Sequence, residues 1–236
     1  MLLALAPGSA VPRKGALGID VSRFNGPISW EDVADSGVKF AFVEASRGSG
    51  GDCTVKPRRC GADPYYAPNY QGARAAGLRV GAYHRAFTNG GSRRDAAEDA
   101  AAEADLFVAQ VGRLRHGDLL PALDIETPFD GLDAERLRAW IRVWLRRVRR
   151  KLGARPTIYT NAPAWRATGD TTRFARSGHR LWVANWKVPE PSLPADYWDG
   201  RGWSIWQFTN SGRVRGIERR VDEDRLGVGF GKVSVR

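Results

Sequence analysis

Two carboxylates lie two residues apart at the end of an apolar run, and this spacing is the first feature of the sequence that could do chemistry. The run, residues 119–126, ends with Asp124 and Glu126. In a β-strand alternate side chains share a face, so both acids would point the same way, with Cα atoms roughly 6.6 Å apart. Like charges held side by side raise the pKa of one acid, which leaves a proton donor beside an anion. Glycoside hydrolysis uses such a pair, although Asp-x-Glu also occurs where the Asp caps a loop and the Glu is simply exposed.

Length and composition indicate one globular domain with a basic surface. The 236 residues suffice for a substantial core, and α/β barrels of this size commonly stay undivided. The net charge of +11 favours polyanionic partners. If the arginines are instead scattered over the surface, the charge implies no particular partner. The densest basic run, residues 146–151, lies near the end of a predicted helix, where it forms either a solvated face or a binding patch. The nine tryptophans suit a groove that stacks on sugar rings or bases.

The cysteines and the N-terminus bear on the compartment. Cys53 and Cys60 are the only cysteines, and no other Cys or His lies nearby to complete a zinc site. We expect a local disulfide, typical of an oxidising compartment, with two free thiols as the alternative. Residues 1–14 resemble the end of a secretion signal without its basic leader, so we assign them to an N-terminal tail or signal remnant. We expect neither a metal site nor a cofactor.

Apolar periodicity predicts strands that alternate with helices over the first two thirds of the chain. The predicted strands are residues 17–22, 38–45, 78–84, 119–126, 155–161, 181–186 and 203–208, with a further one near 220–222. The predicted helices are residues 29–37, 66–77, 92–111 and 133–153. Such alternation favours a parallel sheet with helical crossovers. The loss of helices in the last third predicts an irregular barrel whose final strands connect without them.

Polar and aromatic groups collect at the carboxyl ends of these predicted strands, where α/β barrels place their functional groups. They are Asp20, Glu44, His84, Asp124, Glu126, Tyr159, Asn161, Trp186 and Gln207. One acid at a strand end means little, but this many groups at the same rim predict a pocket.

Short segments in a fixed order extend this pattern over nearly the whole chain. They are Gly18–Ser22, Gly37–Phe40, Gly81–His84, Leu123–Glu126, Ile158–Asn161, Leu181–Ala184, Trp206–Thr209 and Val221–Asp222. In these segments the chain resembles the glycoside hydrolase family 25 lysozymes, the Chalaropsis-type N-acetylmuramidases. The resemblance implies an α/β fold, an irregular TIM-like barrel with about five βα units followed by strands lacking helices.

The resemblance also implies a reaction and roles for four acids. The reaction is hydrolysis of the β-1,4 bond between N-acetylmuramic acid and N-acetylglucosamine in bacterial peptidoglycan, with the sugar's own N-acetyl oxygen as nucleophile. By position, Glu126 would be the general acid, and Asp124 would orient and polarise the substrate's acetamido group. Asp20 and Asp222 complete the acid set. A carboxyl of ordinary pKa is ionised at neutral pH, so we expect the three aspartates to help keep Glu126 protonated.

The candidate substrate-binding residues are four aromatic side chains and one amide. They are Tyr83, Tyr159, Trp186, Trp206 and Gln207. Core packing is the alternative for each aromatic residue. A lone histidine at a strand end is more often a structural hydrogen-bond partner than a metal ligand or base, and we interpret His84 in that way.

One segment departs from the family pattern and suggests an ion pair. Where the family has Lys and then Thr-Glu-Gly, this chain has Glu44 and, three residues later, Arg47. We hypothesise that the two form a reversed ion pair near the rim. An unpaired Glu44 facing the catalytic acids would instead perturb their pKa values further.

These inferences define a domain and its partners. Residues 15–228 are assigned to a single catalytic barrel domain and residues 229–236 to a C-terminal tail. We expect a secreted or envelope monomer that acts on peptidoglycan glycan strands, with anionic wall polymers attracted by the positive charge. No specific nucleic acid and no membrane span are expected. One rival is a catalytically silent wall-glycan-binding protein; another is a nucleic-acid-binding protein, which would need arginine clusters interleaved with aromatic residues.

Overall fold

The computed structural model of the protein describes residues 15–49, 60–88, 92–129 and 131–236. Within these ranges strands and helices alternate along the chain. The strands are β1 (Leu17–Val21), β2 (Phe40–Arg47), β3 (Gly61–Ala62), β4 (Arg79–Arg85), β5 (Ala122–Asp124), β6 (Thr157–Thr160), β7 (Leu181–Ala184), β8 (Ile205–Gly212) and β9 (Val221–Leu226). The helical segments are α1 (Trp30–Asp35), α2 (Tyr66–Ala75), α3 (Arg93–Val111), α4 (Ala134–Leu152), α5 (Ala162–Trp165), α6 (Arg173–Arg176) and α7 (Pro194–Asp199), with 3-10 turns at Arg166–Thr168 and Phe230–Lys232.

Eight strands close into a barrel, and β3 adds an antiparallel edge to β2. The order around the barrel is β1, β9, β8, β7, β6, β5, β4 and β2, and β2 pairs back with β1. Strand β9 runs antiparallel to both of its neighbours, whereas the other neighbouring pairs of the barrel are parallel. The carboxyl ends of the parallel strands and the amino end of β9 therefore meet at one mouth of the barrel. The predicted irregular α/β barrel is confirmed.

The helices shrink along the chain as the sequence predicts. Helices α3 and α4 have 19 residues each, whereas α5 and α6 have four. Strand β8 then passes to β9 through a turn without a helix. The last strands consequently join the barrel as a hairpin, which is why β9 is antiparallel.

Capping and amphipathicity define α4. Its first turn is capped by the Asp133 side chain, which accepts a hydrogen bond from the Arg136 N–H at 2.8 Å. Gly153 ends the helix in the left-handed conformation with φ 73°. The buried face consists of Leu137, Trp140, Ile141, Trp144, Leu145 and Val148. The helix predicted at residues 133–153 is therefore confirmed, with Leu152 at its end only half-buried.

Aromatic rings fill the barrel interior below the mouth. Phe42 and Trp182 stack with their ring centroids 4.5 Å apart. Two glycines, one on each of the strands that flank β2 in the barrel, make room for such rings, because a Cβ at Gly18 would overlap the ring of Phe40 and one at Gly81 would lie 2.6 Å from that of Phe42. The barrel interior below the polar mouth is thus filled by packed side chains.

Helical segment α7 is left-handed. All five residues from Ala195 to Asp199 have φ between 49° and 58°. This conformation costs L-residues roughly 1–2 kcal/mol each. Two anchors oppose that cost: Trp198 is buried and donates its indole N–H to the His179 carbonyl at 2.8 Å, and the Ala195 N–H donates to the Asp170 carboxylate at 2.8 Å. No pattern in the sequence predicted this turn.

Some predicted features lie at or beyond the edges of the described ranges. Residues 1–14 and Cys53 are outside them, so the N-terminal tail and the pairing of Cys53 with Cys60 stay predictions. Residues 229–236, assigned to a C-terminal tail, lie against the start of β5: Val233 is buried, and its carbonyl accepts a hydrogen bond from the Leu120 N–H at 2.7 Å. No helix in the described part of the chain combines the length and the hydropathy that a membrane crossing requires.

Candidate active site

The barrel mouth contains a polar cavity of about 250 Å³. Its lining residues are Asp20, Ser22, Glu44, Arg47, Tyr83, Arg85, Asp124, Glu126, Tyr159, Trp182, Gln207 and Asp222. All four acids predicted as catalytic line it. We call this space the acid cavity.

Asp124 and Glu126 face the cavity together, although the strand that carries them is shorter than predicted. Strand β5 ends at Asp124, and Glu126 follows in the loop. The Asp124 carboxylate is almost fully buried, and its Oδ1 has no hydrogen-bond partner among the described residues. The Glu126 side chain is 35% exposed. The site therefore pairs a buried acid that retains a vacant acceptor with a neighbouring acid that solvent can reach.

Arg85 holds the two acids from the side, and the sequence analysis did not single it out. Its Nε lies 3.1 Å from Glu126 Oε1 and 3.6 Å from Asp124 Oδ2. One of its terminal nitrogens also donates to the Glu126 carbonyl at 3.1 Å. The alternation of β4 could have found it, since Arg85 follows Tyr83 by two residues and shares its face.

Asp20 and Asp222 are cross-strand neighbours joined by Gln207. They pair directly in the β1–β9 ladder. The Gln207 amide nitrogen donates to Asp20 at 2.8 Å and lies 3.4 Å from Asp222, while its oxygen accepts from the Tyr159 hydroxyl at 3.0 Å and from the Trp186 indole N–H at 2.9 Å. With these partners the amide can adopt only one orientation, so Gln207 fixes two acids and two aromatic side chains at once.

A fifth acid, Asp224, lies beneath this group. It is fully buried and accepts from the Trp182 indole N–H at 2.7 Å. Its second oxygen, Oδ2, is buried and has no hydrogen-bond partner among the described residues, and burial raises the pKa of Asp224 well above its usual value. Asp222 and Asp224 are two apart on one strand, the same spacing that drew attention to Asp124 and Glu126, so this signal was present in the sequence.

Burial and crowding raise the pKa values of several acids at the mouth. Burial first, and then the charge of Glu126, raises the pKa of Asp124 well above its usual value and that of Asp222 to about 6. Burial, followed by the charges of Asp222 and Asp224, raises the pKa of Asp20 well above its usual value. Several carboxyls of the cavity thus have pKa values displaced upward, in the direction that acid–base chemistry at neutral pH requires. The expectation that Glu126 itself is held protonated stays a prediction.

The hypothesis of a reversed ion pair is confirmed. The Arg47 guanidinium donates hydrogen bonds to both carboxylate oxygens of Glu44, with Nε 2.7 Å from Oε1. Strand β2 has an irregularity between Glu44 and Ser46, which lets two residues three apart face the same side. Arg23 adds a second cation 3.8 Å from Glu44, so the charge of Glu44 is matched where it meets the cavity.

The predicted substrate-binding residues divide into two groups. Tyr83, Tyr159 and Gln207 line the acid cavity, and Trp186, which is 42% exposed, stands at its edge. Trp206 does not reach it: the residue is buried on the other face of β8 and donates its indole N–H to the Asn185 carbonyl at 2.8 Å. Consecutive residues of a strand point to opposite faces, so Trp206 could not accompany Gln207 into the mouth.

A second cavity, of about 480 Å³, lies beside the mouth. Its lining residues are Asn161, Ala162, Pro163, Arg166, Ala184, Asn185, Trp186 and Ser192. Because the Trp186 indole binds Gln207 of the acid cavity, Trp186 lies between the two spaces. The mouth therefore widens into a groove with an aromatic side chain and several amide groups, which suits an extended polar chain rather than a single small molecule.

His84, which the sequence placed with the polar groups of the rim, lies outside the mouth, but it is a structural hydrogen-bond partner as interpreted from the sequence. The imidazole is fully buried between β4 and α3, where Nδ1 is 2.8 Å from the Ser46 hydroxyl and Nε2 is 2.6 Å from Glu103. Burial lowers its pKa to about 3 and raises that of Glu103. A protonated Glu103 donating to a neutral His84 satisfies both shifts. Among the described residues no group of three or more His, Cys, Asp or Glu side chains is arranged to hold a metal ion.

Known sequences are similar to this chain over most of its length. Residues 19–217 match the family model described as glycosyl hydrolases family 25. Lysozyme M1 of Streptomyces globisporus is 32% identical over 219 residues, which cover 90% of this chain and 68% of that protein. The N,O-diacetylmuramidase of Chalaropsis sp is 27% identical over 205 residues, covering 82% of this chain and 88% of that protein.

Solved structures share the same architecture. The bacterial lysozyme from Streptomyces coelicolor is 29% identical, with a TM-score of 0.80, and the match covers 94% of this chain and 96% of that one. The muramidase from Trichobolus zukalii is 24% identical, with a TM-score of 0.75, and so supports the fold alone. The family model spans far more than half of the chain, and the acids of the mouth are those expected from the resemblance. The chain therefore belongs to glycosyl hydrolase family 25 and is a glycoside hydrolase built on an irregular α/β barrel.

Proposed function

We propose that this glycoside hydrolase is a muramidase that cleaves the β-1,4 bond between N-acetylmuramic acid and N-acetylglucosamine in bacterial peptidoglycan. Relatives named lysozyme and N,O-diacetylmuramidase support this substrate class. The observation that carries the proposal is the arrangement of the two neighbouring acids, a buried Asp124 with a vacant acceptor atom beside a solvent-accessible Glu126.

Glu126 acts as the general acid. Its carboxyl donates a proton to the oxygen that bridges the two sugars, and the bond from that oxygen to the anomeric carbon breaks. The acetamido oxygen of the sugar that carries this anomeric carbon attacks it and forms a cyclic oxazolinium intermediate. Water then opens this ring while the Glu126 carboxylate accepts the water's proton, which regenerates the acid and retains the anomeric configuration.

Asp124 assists the internal nucleophile. The Asp124 carboxylate, which lines the acid cavity, accepts a hydrogen bond from the acetamido N–H, which orients the amide and increases the negative charge on its oxygen. The raised pKa of Asp124 makes it a good acceptor when ionised. Asp20 and Asp222 sit on the opposite wall, where Gln207 keeps their carboxyls in place, and their negative potential favours the positive charge that develops at the anomeric carbon.

Trp186 and the neighbouring groove bind the glycan on either side of the cleaved bond. The exposed indole offers a flat apolar face for a sugar ring, and the amide groups of Asn161 and Asn185 offer hydrogen bonds to its hydroxyls. A substrate of this kind lies outside the cytoplasm, so the proposal includes a secreted or envelope protein, and a Cys53–Cys60 disulfide would form in that compartment.

Lysis of purified peptidoglycan tests the proposal. The wild-type protein is expected to clear a peptidoglycan suspension and release fragments with N-acetylmuramic acid at the reducing end. Glu126→Gln removes the transferable proton and should reduce lysis by about 10²–10⁴-fold, whereas Glu218→Gln, the same change at an exposed position, should have no effect. N-acetylglucosamine at the new reducing ends, or wild-type protein as inert as Glu126→Gln, would reject the proposal.

A further inference from the structure

A cavity of about 440 Å³ on the outer wall of the barrel is lined by four arginines. They are Arg142, Arg146 and Arg149 on α4 and Arg173 on α6. The remaining lining residues are Leu145, Phe174, Ser177 and His179, so none of the described residues that line the space carries a carboxylate. We call it the arginine cavity.

The arginines of this cavity differ from three other basic residues of the same helix, which pair with acids. Arg147 pairs with Asp105 of α3 at 2.6 Å, and Lys151 pairs with the same acid at 3.2 Å. Within the described part of the chain no ion pair compensates any of the four arginines of the cavity. Helix α4 therefore uses one basic face to pack against α3 and leaves the other face uncompensated.

The spacing of the charges suits an extended anion. Residues 142, 146 and 149 recur every three or four positions, which places them on one helix face over roughly 10 Å along the axis. Burial, and then repulsion from Arg173 and Arg146, lowers the pKa of Arg142 below its usual value. Positive charges are thus crowded here without a counter-charge, and an anion placed between them would relieve their repulsion.

The side chains present favour phosphate groups over nucleic-acid bases. Guanidinium groups bind phosphate oxygens in pairs. Single-stranded nucleic acid also needs aromatic faces on which its bases stack. The only aromatic ring of the cavity besides His179 is Phe174, which is buried. The exposed large aromatic side chains of the described residues, Phe24, Trp186 and Tyr197, lie elsewhere.

The position of the arginine cavity leaves the mouth free. Helix α4 begins after the carboxyl end of β5 and ends before β6 starts, so its C-terminal half lies toward the end of the barrel away from the mouth. His179, just before β7, lies at that same end. A polymer bound here would not compete with a glycan in the acid cavity.

We propose that the arginine cavity binds the phosphodiester backbone of an anionic bacterial wall polymer and so retains the enzyme on its insoluble substrate. The choice of a wall polymer rests on the proposed function, whereas the preference for a chain of phosphates rests on the cavity itself. The uncompensated, concave cluster of guanidinium groups carries the inference.

Co-sedimentation with bacterial walls tests it. The protein is used in the Glu126→Gln background so that the walls stay intact, and it is mixed with Gram-positive walls before and after hydrofluoric acid has removed their phosphodiester polymers. A triple variant, Arg142→Gln, Arg146→Gln and Arg149→Gln, is compared with a control that loses the same charge outside the cavity at the exposed residues Lys39, Arg150 and Lys232. A purified poly(glycerol phosphate) and a duplex DNA of similar charge serve as soluble probes.

The expected result is binding to untreated walls that weakens roughly tenfold or more in the cavity variant and little in the control, with a shallower salt dependence. Removing the polymer from the walls should abolish the difference between the two variants. Equal loss in both variants would reduce the effect to net charge and overturn the proposal, and tighter binding to DNA than to poly(glycerol phosphate) would overturn it in favour of nucleic acid.

The hydrolase is tested separately, so the two proposals can fail independently. With Glu126 restored, the cavity variant should lyse polymer-free peptidoglycan at the wild-type rate and lag only on untreated walls. An absence of lysis by every form together with intact binding would reject the muramidase and leave the polymer site standing.

Discussion

The acid cavity and the His84–Glu103 pair both bury titratable groups, yet they differ in what surrounds those groups. In the His84–Glu103 pair both imidazole nitrogens have partners, and the ring stacks on Trp144 with centroids 5.6 Å apart. Both regions hold a buried acceptor atom without a partner among the described residues, Glu103 Oε1 and Asp124 Oδ1, but the Asp124 side chain also lines the open acid cavity. A shifted pKa alone therefore does not identify an active site. The combination of shifted pKa values, unmatched charge and accessible volume does.

We therefore predict that a substitution in the acid cavity can reduce the activity of the protein without reducing its stability. Asp124→Asn should reduce the kcat/KM of wall lysis on the order of 10³-fold, because the amide cannot polarise the substrate as a carboxylate does. The free energy of unfolding should stay equal or rise, since a buried carboxyl is removed. Peptidoglycan turbidity and urea unfolding measure the two quantities, with the exposed Asp35→Asn as control. Near-normal lysis by the variant would remove Asp124 from the mechanism.

The His84–Glu103 pair should show the opposite behaviour. His84→Leu leaves Glu103 buried without its hydrogen-bond partner, and we expect a loss of about 3 kcal/mol in the free energy of unfolding. Activity per folded molecule should remain close to wild type. Glu103→Gln keeps a side chain that can still bond to the imidazole and should lose less than about 1 kcal/mol. If folded His84→Leu protein were inactive, the distinction between the two regions would not hold.

At the ion pair of the rim, the effects on stability of substituting Glu44 and Arg47 should depend on each other. Glu44→Gln and Arg47→Met each leave a partner charge in a mostly buried place, whereas the double variant removes both charges. The double-mutant cycle should therefore give a coupling free energy of about 2 kcal/mol in denaturant unfolding. Additive effects would mean that the contact contributes nothing to stability.

Asp222 should give the smallest effect, seen as a change with pH. Its pKa rises from 3.8 in the unfolded chain to about 6 in the folded protein, so the folded state binds more protons between these values. The stabilisation from this group is complete below about pH 4 and is lost as the pH rises to about 6. Solvent screening of this partly exposed side chain reduces the loss to about 1 kcal/mol. Urea unfolding gives the free energy of unfolding of the wild type and of Asp222→Asn at each pH. The wild-type value minus the variant value should fall by that amount over this pH interval, and a difference that does not change with pH would contradict the raised pKa.

Local patterns in the sequence predicted the helices, the barrel and the four acids that line its mouth. Asp133 and Gly153 were recognisable as helix caps because capping depends on neighbours in the sequence. Asp20, Asp124 and Glu126 were recognisable because parallel strands bring their carboxyl ends together, whereas Asp222, at the amino end of the antiparallel β9, was assigned only through the resemblance to the family. Position along a strand also explains why Trp206 does not reach the acid cavity, since alternation places it on the face opposite Gln207.

The features that the sequence did not reveal depend on long-range contacts. Glu103 lies in the middle of an otherwise ordinary helix, and only its packing against His84 shows what it does. The left-handed turn at residues 195–199 contains no glycine, and it is held by contacts to Asp170 and His179, which are distant in sequence. Arg85 and Asp224 were accessible to alternation: Arg85 belongs to no short motif that would have drawn attention to it, whereas Asp224 forms with Asp222 the same spacing as Asp124 and Glu126.

The antiparallel hairpin of β8 and β9 also determines when the enzyme can first act during synthesis. Gln207, Asp222 and Asp224 all belong to it, whereas their partner Asp20 lies on the first strand. A nascent chain that has emerged only as far as β7 thus holds Glu126 and Asp124 but not the opposite wall of acids or the seam that closes the sheet. Completion of the barrel and assembly of its chemistry are one event, so a ribosome-bound fragment that stops before β8 has no assembled site with which to cut a wall.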